Sequence, residues 1–145
     1  MKIKFKKLDK RAVSPVFSSA DAAGADLRVV LDDSVTIMPS QSMQLRTGLA
    51  VAIPKGYVGL IYARSGIACK RDLAPSNKVG VIDADYRGEI MISLHNHGDE
   101  PQTIKPNERV AQLVVMPYLV CKYEEVKELG ETERGSNGFG STGRV

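Results

Sequence analysis

No stretch of this 145-residue sequence approaches the ~20 consecutive apolar residues that a membrane-spanning helix needs, and the N-terminus lacks the apolar core of a signal peptide. Only two cysteines occur, Cys69 and Cys121, with no CxxC pair, so neither a zinc site nor a disulfide framework is expected. That usage fits a reducing cytoplasm, with each cysteine a small, partly buried apolar filler. No internal repeat is visible. The net charge of +3 is weak, and much of it sits in the opening MKIKFKKLDKR, where lysines alternate with apolar residues. That alternation reads as a strand with one wet face rather than a nucleic-acid arm. Neither nucleic acid nor a membrane is expected as a partner.

What is present is a chain that is 43% hydrophobic and 26% charged, the balance of an ordinary globular domain. Its length is enough to bury about two-thirds of the unfolded surface. Short β-branched or alternating runs fill residues 35–37, 43–53, 57–62, 90–94 and 109–116, with turn signals between them. That spacing predicts an all-β sandwich, jelly roll or barrel. On the run over 90–94, Ile90, Ile92 and Leu94 share one face, and Met91 and Ser93 the other. One short helix is predicted over residues 66–71, with Ser65 as its N-cap and Pro75 as its stop. From residue 128 the chain becomes charged and then glycine-rich, so residues 1–127 read as the β domain and 128–145 as a flexible arm.

Three stretches offer chemistry. In ARSG, residues 63–66, a guanidinium, a hydroxyl and helix N–H groups meet where a strand ends, all favouring phosphate oxygens; the plainer reading is a capped helix with a surface salt bridge. In GVIDADYRGEI, residues 80–90, Asp83 ends an apolar run where partial desolvation makes a better base, and Tyr86 is placed to lie beneath a sugar. A solvated hairpin tip is the alternative there. The tail spells GxGxxG over residues 138–143, but without the strand before and helix after that a dinucleotide site needs. A Walker-like spacing over residues 135–142 lacks its lysine. What survives is an arm whose Arg134, glycine amides, hydroxyls and Phe139 suit closure over a nucleotide. His95, His97 and Asp99 form an HxHxD string at a strand end, with no further ligand of suitable spacing, and read as a solvated turn.

Together, AGADL (23–27), ARSG (63–66), GVIDADYRG (80–88), ERVAQ (108–112) and RGSNGFGSTG (134–143) form an ordered set. It resembles the five motifs of the trimeric deoxyuridine triphosphate pyrophosphatases (dUTPases), over about residues 2–144. Ala25 stands where a tyrosine is frequent and Ala63 where a proline is frequent; neither change removes a reacting group. The resemblance implies a jelly-roll (β-clip) subunit and a homotrimer with active sites at subunit interfaces. It implies hydrolysis of dUTP to dUMP and pyrophosphate, limiting uracil in DNA and supplying dUMP for dTMP synthesis. Mg²⁺ is then held mainly by the triphosphate and waters, with Asp26 near its water shell.

By the same resemblance, Asp83 activates the attacking water and contacts the sugar 3′-hydroxyl, and Tyr86 lies under the deoxyribose. Asn77 and the backbone of Gly80, Val81 and Ile82 read uracil, while Met91 packs near the sugar. Arg64, Ser65, Gly66 and Gln112 position phosphate and water, with Asp26 and Arg109 in support. Arg134, Phe139, Gly140, Ser141 and Thr142 form the closing arm. Two rivals remain: a dCTP deaminase, which resembles a site with a glutamate on the strand after the tyrosine turn, and a nucleotide-sensing or protein-binding module without turnover.

Overall fold

The structure is a computed structural model in which residues 1–138 are described; the arm candidates Phe139, Gly140, Ser141 and Thr142 lie outside the described residues. In chain order the strands are β1 (Lys4–Lys7), β2 (Val16–Phe17), β3 (Ala25–Arg28), β4 (Val35–Ile37), β5 (Ser42–Arg46), β6 (Leu49–Ala52) and β7 (Tyr57–Ala63). The helix α1 (Ser65–Arg71) comes next, followed by β8 (Leu73–Pro75), β9 (Gly80–Ile82), β10 (Met91–Asn96), β11 (Gln102–Ile104) and β12 (Arg109–Pro117). Every ladder among the described residues is antiparallel. A five-stranded sheet has the order β2-β3-β12-β7-β9, and a three-stranded sheet the order β5-β10-β8. The pairs β1-β6 and β11-β4 complete an all-β, jelly-roll-class architecture with one short helix.

Burial follows the period of two. Along β10, Ile92, Leu94 and Asn96 are buried while Met91, Ser93 and His95 are half-buried. Ile90 joins Leu27, Ile37, Leu49, Leu73, Ile104 and Val110 in the core. The buried polar side chains are satisfied: Thr47 donates to the Ile90 carbonyl (2.7 Å), and Asn96 Nδ2 donates to the carbonyls of Ile37 (3.0 Å) and Glu100 (2.8 Å).

Several expectations need correcting. The apolar run over 43–53 is two strands, not one. It breaks at Gly48, whose φ is +67° and where a Cβ would approach that of Ala12 to 2.8 Å; β5 then pairs with β10, and β6 with β1. The helix begins one residue early, with extended Arg64 as N-cap and no side-chain cap, so Ser65 is its first helical residue. Left-handed Asp72 (φ 52°), rather than Pro75, ends it. β1 forms, but all four of its residues are exposed, so neither of its faces is the dry one expected. Both cysteines are exposed rather than partly buried. The last strand ends at Pro117, and residues 118–137 are exposed.

Candidate active site

One cleft of ≈ 420 Å³ gathers Gly24, Asp26, Arg64, Ser65, Gly66 and Gln112. Asp26, on β3, is a carboxylate held by two guanidiniums: Arg64 Nε donates to its Oδ1 at 2.6 Å, and Arg109 Nη1 to its Oδ2 at 3.1 Å. A bulge brings Arg109 there. On β12, Arg109 faces Arg28 and Ala111 faces Leu27, so Val110 is an extra residue in the ladder. Without it, Arg109 and Gln112, three apart, would point to opposite faces of the sheet; the extra residue puts both beside Asp26. Gln112 sits opposite Asp26 in register and donates through Nε2 to the Ala63 carbonyl at 2.9 Å. It lies so close over Gly24 that a Cβ there would overlap its Oε1. Ser65 and Gly66 open the helix on the rim of this cleft, and a Cβ at Gly66 would meet no atom within 4 Å. Chemically the cleft is an anion site with excess positive charge, arginine forks and helix amides.

A second cleft, of ≈ 290 Å³, is lined by Gln44, Val81, Ile82, Asp83, Tyr86, Glu89 and Met91. The segment from β9 to β10 is not a hairpin: β9 pairs with β7, and β10 with β5 and β8, so the turn crosses between two sheets. Inside that turn the Tyr86 N–H donates to the Asp83 carbonyl (3.2 Å), and the Tyr86 hydroxyl to the Glu89 carbonyl (2.9 Å). Gly88 lies against the Tyr86 ring so tightly that a Cβ would overlap the phenol oxygen, which fixes the ring's pose. Glu89 is engaged elsewhere, accepting from Arg46 Nε (3.1 Å) and the Gly48 N–H (2.7 Å). Arg87 folds onto the carbonyls of Ala84 and Tyr86, both at 2.7 Å. The desolvation expected at Asp83 is not supplied by the described residues. Asp83 follows a strand at the edge of its sheet and is exposed.

The predicted site residues therefore fall into two groups. Ile82 pairs with Gly59, so Asp83 follows near the start of β7, whereas Arg64 directly follows its end. Five residue rises of strand, roughly 17 Å, separate Gly59, the partner of Ile82, from Arg64. Asn77 sits in the exposed turn before β9, its Nδ2 3.4 Å from where a Gly80 Cβ would be. Arg134 lines neither cleft and donates to the Asn137 carbonyl at 2.9 Å. The HxHxD string also lies outside both clefts. His95 Nδ1 pairs with Ser42 Oγ at 2.9 Å, and His97 Nε2 with Lys78 Nζ at 3.3 Å.

Three contributors were missed in the sequence: Gly24, Gly88 and Gln44. The first two stood inside recognised motifs without a role, because a glycine's use shows only when its neighbour is seen. Gln44 was signalled by period two, since it pairs with Ser93 on the Met91 face of β10.

The sequence model of the dUTPase family matches residues 10–143. The deoxyuridine 5′-triphosphate nucleotidohydrolase of Desulfitobacterium hafniense (strain DSM 10664 / DCB-2) is 44% identical over 144 residues, covering 99% of this chain and 95% of that protein. A Staphylococcus bacteriophage 80alpha dUTPase mutant with dUpNHpp superposes with a TM-score of 0.87 at 30% identity, covering 98% of each chain. A mutant dUTPase from phage phi11 of S. aureus, described with a coordinated structural Mg(II) ion, gives a TM-score of 0.78 at 25% identity, covering 88% of this chain and 98% of that one. The chain belongs to the dUTPase family.

Proposed function

We propose that this protein hydrolyses dUTP to dUMP and pyrophosphate, in sites assembled between copies of the chain in a homotrimer. The observation that carries the reading is the division of the family's residues between two clefts at opposite ends of β7. The Asp83–Tyr86 cleft suits the nucleoside, and the Arg64–Gln112 cleft suits the phosphates. The length of β7 separates them by far more than the uracil of dUTP stands from its own α-phosphate. A complete site therefore pairs the nucleoside cleft of one subunit with the phosphate cleft of another, and that contact also removes water from exposed Asp83.

In the reaction, water oriented by Asp83 attacks the α-phosphorus. Its proton passes to the Asp83 carboxylate, the bond from the α-phosphorus to the bridging oxygen breaks, and pyrophosphate leaves with that oxygen. Arg64, the Ser65 hydroxyl, the amides at Ser65 and Gly66, and Gln112 hold the phosphate oxygens and the water in line. Asp26 is poorly placed as a direct metal ligand, because Arg64 and Arg109 already engage both of its oxygens. The donor set fits Mg²⁺ carried on the triphosphate with its own waters: Asp26 would meet it through water, and the ion would supply neutralisation of phosphate charge.

Selectivity follows from backbone and ring. Among the described residues β9 pairs only with β7, so its other edge offers the main-chain donors and acceptors of Gly80, Val81 and Ile82 to a uracil, with Asn77 at the rim. The Tyr86 ring, tethered at its hydroxyl, leaves no room for a 2′-hydroxyl, and Met91 closes the sugar pocket. Arg134, Phe139, Gly140, Ser141 and Thr142 complete the proposal as the arm, residues 128–145, that closes over the bound nucleotide. Deamination of dCTP is disfavoured, because β10 carries no carboxylate and Glu89 is committed to Arg46 and Gly48.

Pyrophosphate release with Mg²⁺ from dUTP, dTTP, dCTP and UTP in parallel tests the reading. Release from dUTP alone supports it, ammonia from dCTP replaces it with deamination, and dUTP binding without product reduces it to a sensor.

A further inference from the structure

The turn between β8 and β9 is strained, and β10 fastens it at two points. Lys78 has φ +65°, and the Val79 N–H donates to the Asn77 carbonyl at 2.7 Å. A bond between residues two apart across a left-handed centre is the rarer, strained form of γ-turn. A lysine there is held in a conformation that suits glycine, and such strain persists only where surrounding contacts over-determine it. Two sets of contacts do so. The Ser76 N–H donates to the Ser93 carbonyl at 2.8 Å, and the Ser76 hydroxyl reaches Ser93 Oγ at 2.6 Å and that carbonyl at 3.0 Å. Beyond the bend, the Lys78 ammonium donates to His97 Nε2 at 3.3 Å.

The segment so fastened is the one that presents Asn77 and leads into the free edge of β9. Its anchor residue Ser93 shares a face of β10 with Met91 and pairs with Gln44, and both Met91 and Gln44 line the nucleoside cleft. We infer that Ser76, Ser93 and His97 are positioning residues that preset the strained turn for reading the base. The inference rests on the dUTP reading above and adds a titratable element to it. Only the neutral imidazole offers Nε2 as an acceptor to Lys78. The groups around exposed His97 favour that form: local desolvation, the charge of Lys78 and then that of His95 lower its pKa from 6.5, and Asp72 opposes them. As pH falls and His97 protonates, the acceptor is lost and two positive groups face each other, so the turn loosens in acid.

Steady-state kinetics and equilibrium dUTP binding on the full chain, across about pH 5.5–8, test this with four variants. Ser76→Ala and His97→Phe each raise KM for dUTP roughly 3- to 10-fold, leave kcat within about twofold and narrow the preference for dUTP over dCTP. Ser76→Thr, which keeps the hydroxyl, restores KM. In wild type KM rises on acidification through the range where His97 protonates; in His97→Gln, which keeps an acceptor for Lys78 and does not titrate, that rise is absent. Unchanged KM in both Ser76→Ala and His97→Phe, or the same acid rise in wild type and His97→Gln, overturns the inference. If wild type binds dUTP without turnover, hydrolysis fails as the function, while the same shifts read in Kd decide the turn's role. If it does not bind dUTP, both readings fall.

Discussion

Gln112 rests directly on Gly24: its partner across the β3–β12 ladder is Asp26, and its side-chain oxygen fills the space that any Cβ at position 24 would need. The glutamine's amide is then directed to the Ala63 carbonyl at 2.9 Å, next to the Arg64–Ser65–Gly66 rim. Gly24→Ala therefore displaces Gln112 from the phosphate cleft while leaving the core untouched. The expected result is a loss of about 10-fold in kcat/KM for dUTP, with a small change in Tm, read by kinetics and thermal melting. Wild-type kcat/KM in this variant would show that Gln112 does not act from its observed pose.

Asp83→Asn keeps the size and one acceptor of the side chain but removes the base. Turnover is expected to fall by roughly 10²- to 10⁴-fold, while Kd for dUTP stays near the wild-type value. Isothermal titration beside pyrophosphate release separates the two quantities, and full activity would remove Asp83 as the base.

Removing residues 134–145 takes away Arg134 and the glycine-rich segment; among the described residues the last strand ends at Pro117. Hydrolysis is expected to drop severely while circular dichroism and sedimentation remain those of the full chain. Unchanged kinetics would exclude the arm from the site.

The way these residues were legible depended on what each contributes. The candidate reacting groups Asp83, Tyr86, Arg64 and Gln112 could be picked out because each is proposed to act through its own side chain in a short ordered segment. Strand partners could not. Residues 43–53 look like one continuous apolar strand, and only the contact of Gly48 with Ala12 and Asp9 explains why they divide. The GVIDADYRGEI segment looks like a hairpin because its flanking runs are close in sequence, yet its two strands pair in different sheets. The role of Glu89 was hidden for a similar reason: its partners Arg46 and Gly48 are about forty residues away in the chain. Long-range pairing sets such features, and local pattern carries no record of it.

The pair Asp9 and Arg11 gives the fold a pH dependence of its own. Hydrogen bonds from the Arg11 side chain and N–H hold the Asp9 carboxyl well below its ordinary value of 3.8. A depressed pKa contributes stability that is present above pH 3.8 and is lost as pH falls from there toward the folded-state value. Asp9→Asn is accordingly expected to melt below wild type at neutral pH, and the gap should close as the pH drops beneath 3.8. Parallel melting curves over that range check it; a gap that does not depend on pH would assign the effect to shape rather than charge.

The length of β7 has a genetic consequence. Because Asp83 stands near one end of that strand and Arg64 at the other, damage to either end would spoil a different half of the proposed shared pocket. A chain lacking Asp83 still carries an intact phosphate half, and a chain lacking Arg64 still carries an intact nucleoside half. Two silent alleles of this kind, expressed together, should complement: mixed assemblies regain some working pockets at junctions where the two sound halves meet, although neither protein alone turns over substrate.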